Sequence, residues 1–200
     1  MEKSRFFSEL AGEWEACHSR VDERAELARL AQFFSLKPGD RVLDAGCGTG
    51  RLLPFLRSAV GLQGWIAELD FSAEMLRIGR MKTPAESAGY VRADSERLPF
   101  RSAAFDAVIC FALFPHLDHP EAAAAEFRRV LVPGGRVFIA HLMSREDLNR
   151  MHGTTSGPVK HDLLLDAAAM TRILESGGLA SIRIIDRPGL YLAEARRPAL

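Results

Sequence analysis

The 200-residue sequence predicts an α/β fold, a mostly parallel sheet with helices on both faces. Three observations carry that prediction. From residue 41 onward, short apolar segments of strand length alternate with stretches of helical periodicity, the pattern of a parallel sheet with crossover helices. The first of these strands runs straight into a glycine-rich turn, residues 45–50, before the next helix begins. The last two strands are joined at Arg187-Pro188-Gly189, a hairpin signal, so at least one antiparallel strand closes the sheet.

Residues 4–34 read as two helical pieces. Phe6, Phe7, Leu10 and Trp14 recur at helical spacing in the first, and Leu27, Leu30, Ala31 and Phe34 in the second. Asp22 is placed to cap the second piece, with Glu23 and Glu26 favourable near its N-terminus. Lys37-Pro38-Gly39-Asp40 then turns the chain. Residues 41–44 form the first strand and 52–59 a helix whose Pro54 is tolerated in a first turn. Residues 65–69 form the second strand, and Ser72 caps a helix running to about residue 80. Residues 89–92 and 105–111 are the third and fourth strands. Asp118 and Pro120 open an alanine-rich helix that ends before Pro133-Gly134-Gly135, and residues 136–140 are the fifth strand. Ser144 with Asp147 resembles a capping box and starts a short helix. A last helix over 166–176 stops at Gly177-Gly178, followed by strands at 180–186 and 190–195.

Composition narrows the function. Lys plus Arg number 26 and Asp plus Glu 26, so no basic excess argues for a nucleic-acid partner. The hydrophobic share of 48% and charged share of 26% are those of an ordinary globular protein, read as a single domain over 1–200. A chain of this length buries about 70% of its unfolded surface without a disulfide or metal staple. Cys17, Cys47 and Cys110 are odd in number and far apart, which reads as a cytoplasmic protein in a reducing compartment. No signal-peptide pattern opens the sequence. The longest apolar run, residues 107–115, falls short of the roughly 18 residues a membrane span needs, so no membrane insertion is expected.

The strongest chemical signal is Val42-Leu43-Asp44-Ala45-Gly46-Cys47-Gly48-Thr49-Gly50. Alternate glycines after a strand allow a tight turn and close backbone approach to a ligand. A dinucleotide loop would carry a third glycine where Arg51 stands, and a phosphate-binding P-loop would need Gly-Lys-Ser/Thr. Asp44, two residues before Gly46, suits a cationic ligand. Asp70 ends the second strand about 20 residues past the loop, the position used for ribose hydroxyls, and Asp94 follows the third strand where an adenine amino group would find an acceptor.

These pieces resemble a class I S-adenosylmethionine-dependent methyltransferase, most similar to the ubiquinone/menaquinone-biosynthesis type of small-molecule methyltransferase. The matching segments, in family order over half the chain, are VLDAGCGTG (42–50), LDFSAEML (69–76), ADSERLPF (93–100), FDAVICFALFPHL (105–117) and RRVLVPGGRVFIA (128–140). The resemblance implies a three-layer Rossmann-like, seven-stranded sheet of order 3-2-1-4-5-7-6 with strand seven antiparallel and N-terminal helices as a cap. It implies S-adenosylmethionine as cofactor and S-adenosylhomocysteine as product. Asp44 and the backbone of Gly46, Gly48 and Gly50 would line the methionine end and ribose, and Asp70 would take the ribose hydroxyls. Phe71 and Met75 would flank the adenine, Asp94 and Ser95 would bind its edge, and Cys110 would pass under the methionine portion. Residues 1–35 would form a helical cap, 36–141 the cofactor-binding core, 142–165 a substrate lid, and 166–200 the last helix and closing hairpin.

The expected reaction is methyl transfer to an O, N or C atom of a small-molecule acceptor, by a monomer or homodimer. The rival readings are a non-catalytic S-adenosylmethionine-binding module and a nucleotide-dependent oxidoreductase. Cys110-Phe111-Ala112-Leu113 stands where nucleobase amino methyltransferases carry Asn/Asp-Pro-Pro-aromatic, which again argues against nucleic acid. His116 and His141 follow the fourth and fifth strands and are the candidate bases, since histidine changes charge near neutral pH. His119 is expected beside the Asp118 cap in solvent, and His18 is a further residue able to close over the pocket. Arg145, Asn149 and His152 share one face of the short helix beside Leu148 and are the candidate substrate contacts. The spacing of His141, His152 and His161 gives a zinc site no support, so no metal is expected.

Overall fold

The computed structural model describes residues 2–17, 21–82 and 88–199. The elements in chain order are α1 (Glu2–Cys17), α2 (Val21–Phe33), β1 (Arg41–Ala45), α3 (Leu53–Val60), β2 (Trp65–Asp70), α4 (Ala73–Lys82), β3 (Gly89–Arg92), β4 (Phe105–Phe111), α5 (Pro120–Val130), β5 (Leu131–His141), α6 (Arg145–Thr154), α7 (Ala167–Ser176), β6 (Ala180–Arg187) and β7 (Leu190–Arg196). Among the described residues, no helix is long and apolar enough to cross a membrane.

All seven strands form one sheet in the order β3-β2-β1-β4-β5-β7-β6. The pairs among β1 to β5 are parallel, while β7 runs antiparallel to both β5 and β6. Strand alternation builds the three layers. Val42, Ile66, Ile109 and Phe138 point to one face and pack with Leu30, Phe34, Leu53 and Leu56 of the α2–α3 side. Leu43, Val108, Cys110 and Ile139 point to the other, against Phe127 of α5 and Met170 and Leu174 of α7. The chain order reverses between β1 and β4, so their carboxyl ends splay and leave a crevice.

Three local expectations are corrected. The Pro133-Gly134-Gly135 stretch does not precede the fifth strand but lies inside it. There the register jumps from Phe105↔Leu131 to Ala107↔Arg136, a bulge that tolerates a residue without an N–H. Gly134 takes φ 77°, and its N–H donates to the Arg197 carbonyl at 3.0 Å. Asp118 does not cap α5: His119 occupies the N-cap position with no side-chain cap bond, and Asp118 pairs with Lys3 at 3.2 Å. Asp22 falls inside α2, which starts at Val21, and its side chain lies outside the described residues. The other caps form as their residue types dictate. Ser72 Oγ accepts from Met75 N (3.3 Å), Ser144 Oγ from Asp147 N (3.2 Å) and Asp166 Oδ1 from Ala169 N (2.8 Å).

Candidate active site

The glycine loop turns by left-handed backbone at three positions, with φ 73° at Gly46, 55° at Gly48 and 74° at Gly50. Gly46 is also sterically required, because a Cβ there would lie 2.7 Å from Leu113 Cδ2. The amides of Gly46 and Cys47 both donate to the Leu69 carbonyl, at 2.8 and 2.9 Å, tying the loop to the end of β2. A Cβ on Gly48 would meet nothing closer than Met75 Sδ at 4.0 Å, so this backbone stands open to a cleft.

Two carboxylates frame that cleft, and a third lies behind them. Asp70 accepts from Gly48 N (2.9 Å) and Ser72 N (2.8 Å), one on each oxygen, which leaves acceptor capacity on both. Burial raises its pKa, and the amides of Ser72, Gly48 and Phe71 oppose that rise. Asp44, 1% exposed, has no hydrogen-bond partner for Oδ1, and burial with the nearby Asp70 charge pushes its pKa up to about 7. Glu68 sits beside Asp44 in the β1–β2 register, is fully buried, and has no N–H or O–H donor on either oxygen, only the Cys47 thiol beside it. Burial and the Asp44 charge hold its carboxyl well above the usual range. Glu68 is a site feature that sequence reasoning missed. Its signal was an acidic residue in the middle of an otherwise buried strand.

The cleft is lined by Asp44, Gly46, Gly48, Asp70, Phe71 and Met75 on the sheet side. Phe7 of α1, Arg51, Phe111, Leu113 and His116 form the opposite wall. A neighbouring cleft shares Phe7, Phe71, Leu113 and His116 and continues to Asp94 and Ser95. Phe7 bridges the two, edge-on to Phe71 (6.1 Å) and to His116 (5.2 Å). Arg51 pairs with Glu23 of α2 and stands over the Phe111 ring at 5.8 Å. Ala112, just past β4, holds a left-handed φ of 54° and donates its N–H to the Ala140 carbonyl.

Not every residue singled out from sequence reaches the cleft. Gly50 lies behind the loop, where its Cβ position is 3.3 Å from Glu68 Oε2. Cys110 is buried in the core layer and the wall is formed by the residues after it, Phe111, Ala112 and Leu113. Burial pushes the Cys110 thiol up, so it stays protonated. His141 is 4% exposed, packs edge-on to Tyr191 and lines neither cleft. Burial, with His116 and His152 nearby, lowers its pKa to about 3 and keeps it neutral. Arg145 lines neither cleft, and its N–H donates to Asp186. Asn149 spends its amide on Leu164, donating to the carbonyl (3.0 Å) and accepting from the N–H (2.8 Å). His152 is buried with Nδ1 2.6 Å from the Asp162 carbonyl. Phe6 packs on Phe7, whereas the side chain of Trp14 and all of His18 lie outside the described residues. His119 is exposed. Among the described residues, no group of three or more His, Cys, Asp or Glu is arranged to hold a metal ion.

The seven-stranded order and the antiparallel β7 make this a Rossmann-like methyltransferase fold. Comparison with known proteins agrees: residues 43–139 match the family described as "Methyltransferase domain". It is 36% identical over 108 residues to the ubiquinone/menaquinone biosynthesis C-methyltransferase UbiE of Methylococcus capsulatus, covering 52% of this chain and 44% of that protein. It is 40% identical over 109 residues to the UbiE of Ectopseudomonas mendocina, covering 52% and 42%. The chain thus spans less than half the length of these curated relatives. Among solved structures it resembles a chain of the complex between the Haloferax volcanii Trm112 methyltransferase activator and a methyltransferase (TM-score 0.79, 22% identity, 96% and 97% of the two chains). It also resembles a methyltransferase from Aquifex aeolicus (TM-score 0.74, 22% identity, 93% and 97%). At such identity these two establish the fold alone.

Proposed function

We propose that this protein binds S-adenosylmethionine in the cleft beside the glycine loop and transfers its methyl group to an O, N or C atom of a small-molecule acceptor. The observation that carries this reading is Asp44. A buried carboxylate oxygen without a partner, in the wall of a cleft, is a costly feature that a cationic ligand removes. The cofactor brings an ammonium and a sulfonium. The Asp44 and Asp70 carboxylates give the cleft the matching sign, and Glu68 lies behind them.

When bound, S-adenosylmethionine supplies an electrophilic methyl group for an in-line displacement. The chain's own part is positioning. Asp70, preset by two backbone amides, takes the ribose hydroxyls, and the open backbone at Gly48 allows close approach. Phe71 and Met75 offer apolar surface to the adenine, whose edge reaches the Asp94–Ser95 end of the neighbouring cleft. Asp94 Oδ1 already accepts from Glu96 N at 2.9 Å, which fixes the carboxylate for that contact. Phe7, Phe111 and Leu113 exclude water from the acceptor side, where His116 is the candidate base. A helical cap over residues 1–35 and an acceptor-side segment over 142–165 remain part of this reading, as does a cytoplasmic setting for the buried free thiols Cys47 and Cys110.

Calorimetric titration with S-adenosylmethionine, S-adenosylhomocysteine and NAD(H) tests it. Micromolar binding of the first two, lost in Asp44→Ala, is the expected result. Binding of NAD(H) alone would overturn it.

A further inference from the structure

His116 is held by a network that no sequence motif announces. Its Nδ1 lies 2.7 Å from Asp162 Oδ2, and Asp162 Oδ1 lies 3.0 Å from Lys3 Nζ. Lys3 also donates to the His116 carbonyl (3.1 Å) and to Asp118 Oδ1 (3.2 Å). The backbone of the Asp162 segment is fixed from α6. The Asp162 carbonyl can only accept, so His152 Nδ1 carries the hydrogen there, and Asn149 grips Leu164 through two bonds. Two of the three residues expected from sequence to face substrate, Asn149 and His152, therefore clamp the segment that carries Asp162.

We propose that Asp162 and Lys3 are positioning residues for His116. Asp162 holds the imidazole in the Nδ1–H tautomer so that a bare Nε2 is presented to the acceptor side of the cleft, and Lys3 fixes Asp162 from α1. This rests on the methyltransferase reading of the cleft. Three observations carry it. The ring of His116 lines both clefts, and its Nε2 has no hydrogen-bond partner among the described residues. A carboxylate on Nδ1 with the opposite nitrogen facing a cleft is the arrangement that makes an imidazole a proton acceptor. Burial alone raises Asp162, but the hydrogen bonds from His116 and Lys3 outweigh it and keep the carboxyl below the usual range, so it accepts rather than donates.

The proton balance follows. An acceptor whose nucleophile carries a proton gives that proton to Nε2 as its electron pair forms the new bond to the methyl carbon. The C–S pair leaves with the thioether product. The imidazolium then sits beside the Asp162 carboxylate until Nε2 returns its proton to water after product leaves. The network thus favours acceptors with an ionisable X–H over tertiary amines or thioethers, which need no base.

Lys3 also links the dyad to the helix above it. The same helix places Phe7 against His116 and Phe71 and sets Ser8 Oγ 2.9 Å from Ser72 Oγ, so α1 spans the cofactor side and the acceptor side. The groups that face His116 are Lys3 and Phe7 from α1, Asp162, His152 from α6 and, more distantly, His141 from β5. Burial lowers the His116 pKa. Asp162 works against that effect, whereas His152 and Lys3 add to it.

The test is long-range ¹H–¹⁵N NMR of the labelled full chain with saturating S-adenosylhomocysteine, the His116 signal being assigned by its loss in His116→Gln. The wild type is expected to show His116 as the neutral Nδ1–H tautomer above its pKa. Asp162→Asn is expected to lose that preference and lower the pKa. Lys3→Met is expected to raise it, since a nearby positive charge is removed. A merely structural role would not move the pKa in opposite directions in the two variants. An Nε2–H tautomer in the wild type, or an unchanged tautomer in Asp162→Asn, would overturn the proposal. So would an unchanged pKa in Lys3→Met, which stands alone if Asp162→Asn fails to fold. Cofactor titration reads separately. Loss of S-adenosylhomocysteine binding in the wild type would sink the methyltransferase reading, whereas normal binding with the wrong tautomer would sink only the dyad.

Discussion

The two walls of the cleft are built in different ways. The cofactor side is made of backbone: Gly46 and Cys47 N–H on the Leu69 carbonyl, and Gly48 and Ser72 N–H on Asp70, each bond spanning 23 residues or fewer. The acceptor side is made of side chains brought from far apart, with Lys3 meeting a residue 115 positions away and His116 one 46 positions away. A wall of backbone bonds on adjacent parallel strands is inherited with the sheet. A wall of long-range ion pairs changes when any one partner changes, without disturbing the sheet. The difference suits a scaffold that keeps one cofactor while varying its acceptor.

The comparison breaks most readily at Gly46. Gly46→Val places a branched side chain at φ 73° and against Leu113, costing about 2–4 kcal/mol, with cofactor binding lost. Thermal denaturation and titration of the same sample check both effects. Next in size is Asp70→Ala. Removing a carboxylate that serves two buried amides and the ribose should weaken S-adenosylmethionine by about 1–3 kcal/mol, and unchanged affinity would show that Asp70 does not face the ribose.

The cofactor wall also predicts a pH dependence. Asp44 is raised to about 7, so below that pH the free protein holds a proton that a bound cation expels. Affinity for S-adenosylmethionine should therefore rise with pH up to about 7 and then level off. In Asp44→Asn it should be weaker and flat across the same range. For the free protein the sign is opposite: protonation of a raised carboxyl favours the folded state, so this contribution to stability is lost as pH rises toward 7.

On the acceptor side the effects fall on stability rather than on cofactor affinity. Asn149→Ala removes both bonds to Leu164 and should cost about 1–3 kcal/mol of stability while leaving cofactor affinity unchanged. Arg145→Ala should change stability by no more than about 0.5 kcal/mol and cofactor affinity not at all, since the half-exposed side chain lines neither cleft and its nearest carboxylate, on Asp186, is 3.9 Å away. A loss of cofactor affinity in either variant would mean that α6 reaches the cofactor.

How much of this was legible in the sequence follows the same division. The sheet order is reached only through the family resemblance, whereas the alternating strands and helices, the glycine loop and the Ser72 and Ser144 caps are local or periodic features that sequence shows directly. So are Asp44 and Asp70, each fixed by its place at a strand end. Glu68 was readable as an acidic residue in a buried strand but carried no motif to explain it. Asp162, Lys3 and Arg51 were not readable as site residues, because each matters only through a partner on another element. The periodicity of α6 correctly grouped Asn149 and His152 with Leu148. It could not show that this face turns inward onto the segment at 162–164 rather than outward to substrate. The Pro133-Gly134-Gly135 stretch misled for a related reason: a bulge lies inside a strand only because its neighbours, β4 and the chain after β7, pair on either side of it.

The most direct test of the account is amide hydrogen exchange of the full chain with and without saturating S-adenosylhomocysteine. The account predicts new protection at residues 46–50, 70–75 and 93–96 and in the α1 turn that carries Phe7, with little change in α6. Protection absent from the glycine loop, or confined to β6 and β7, would contradict it.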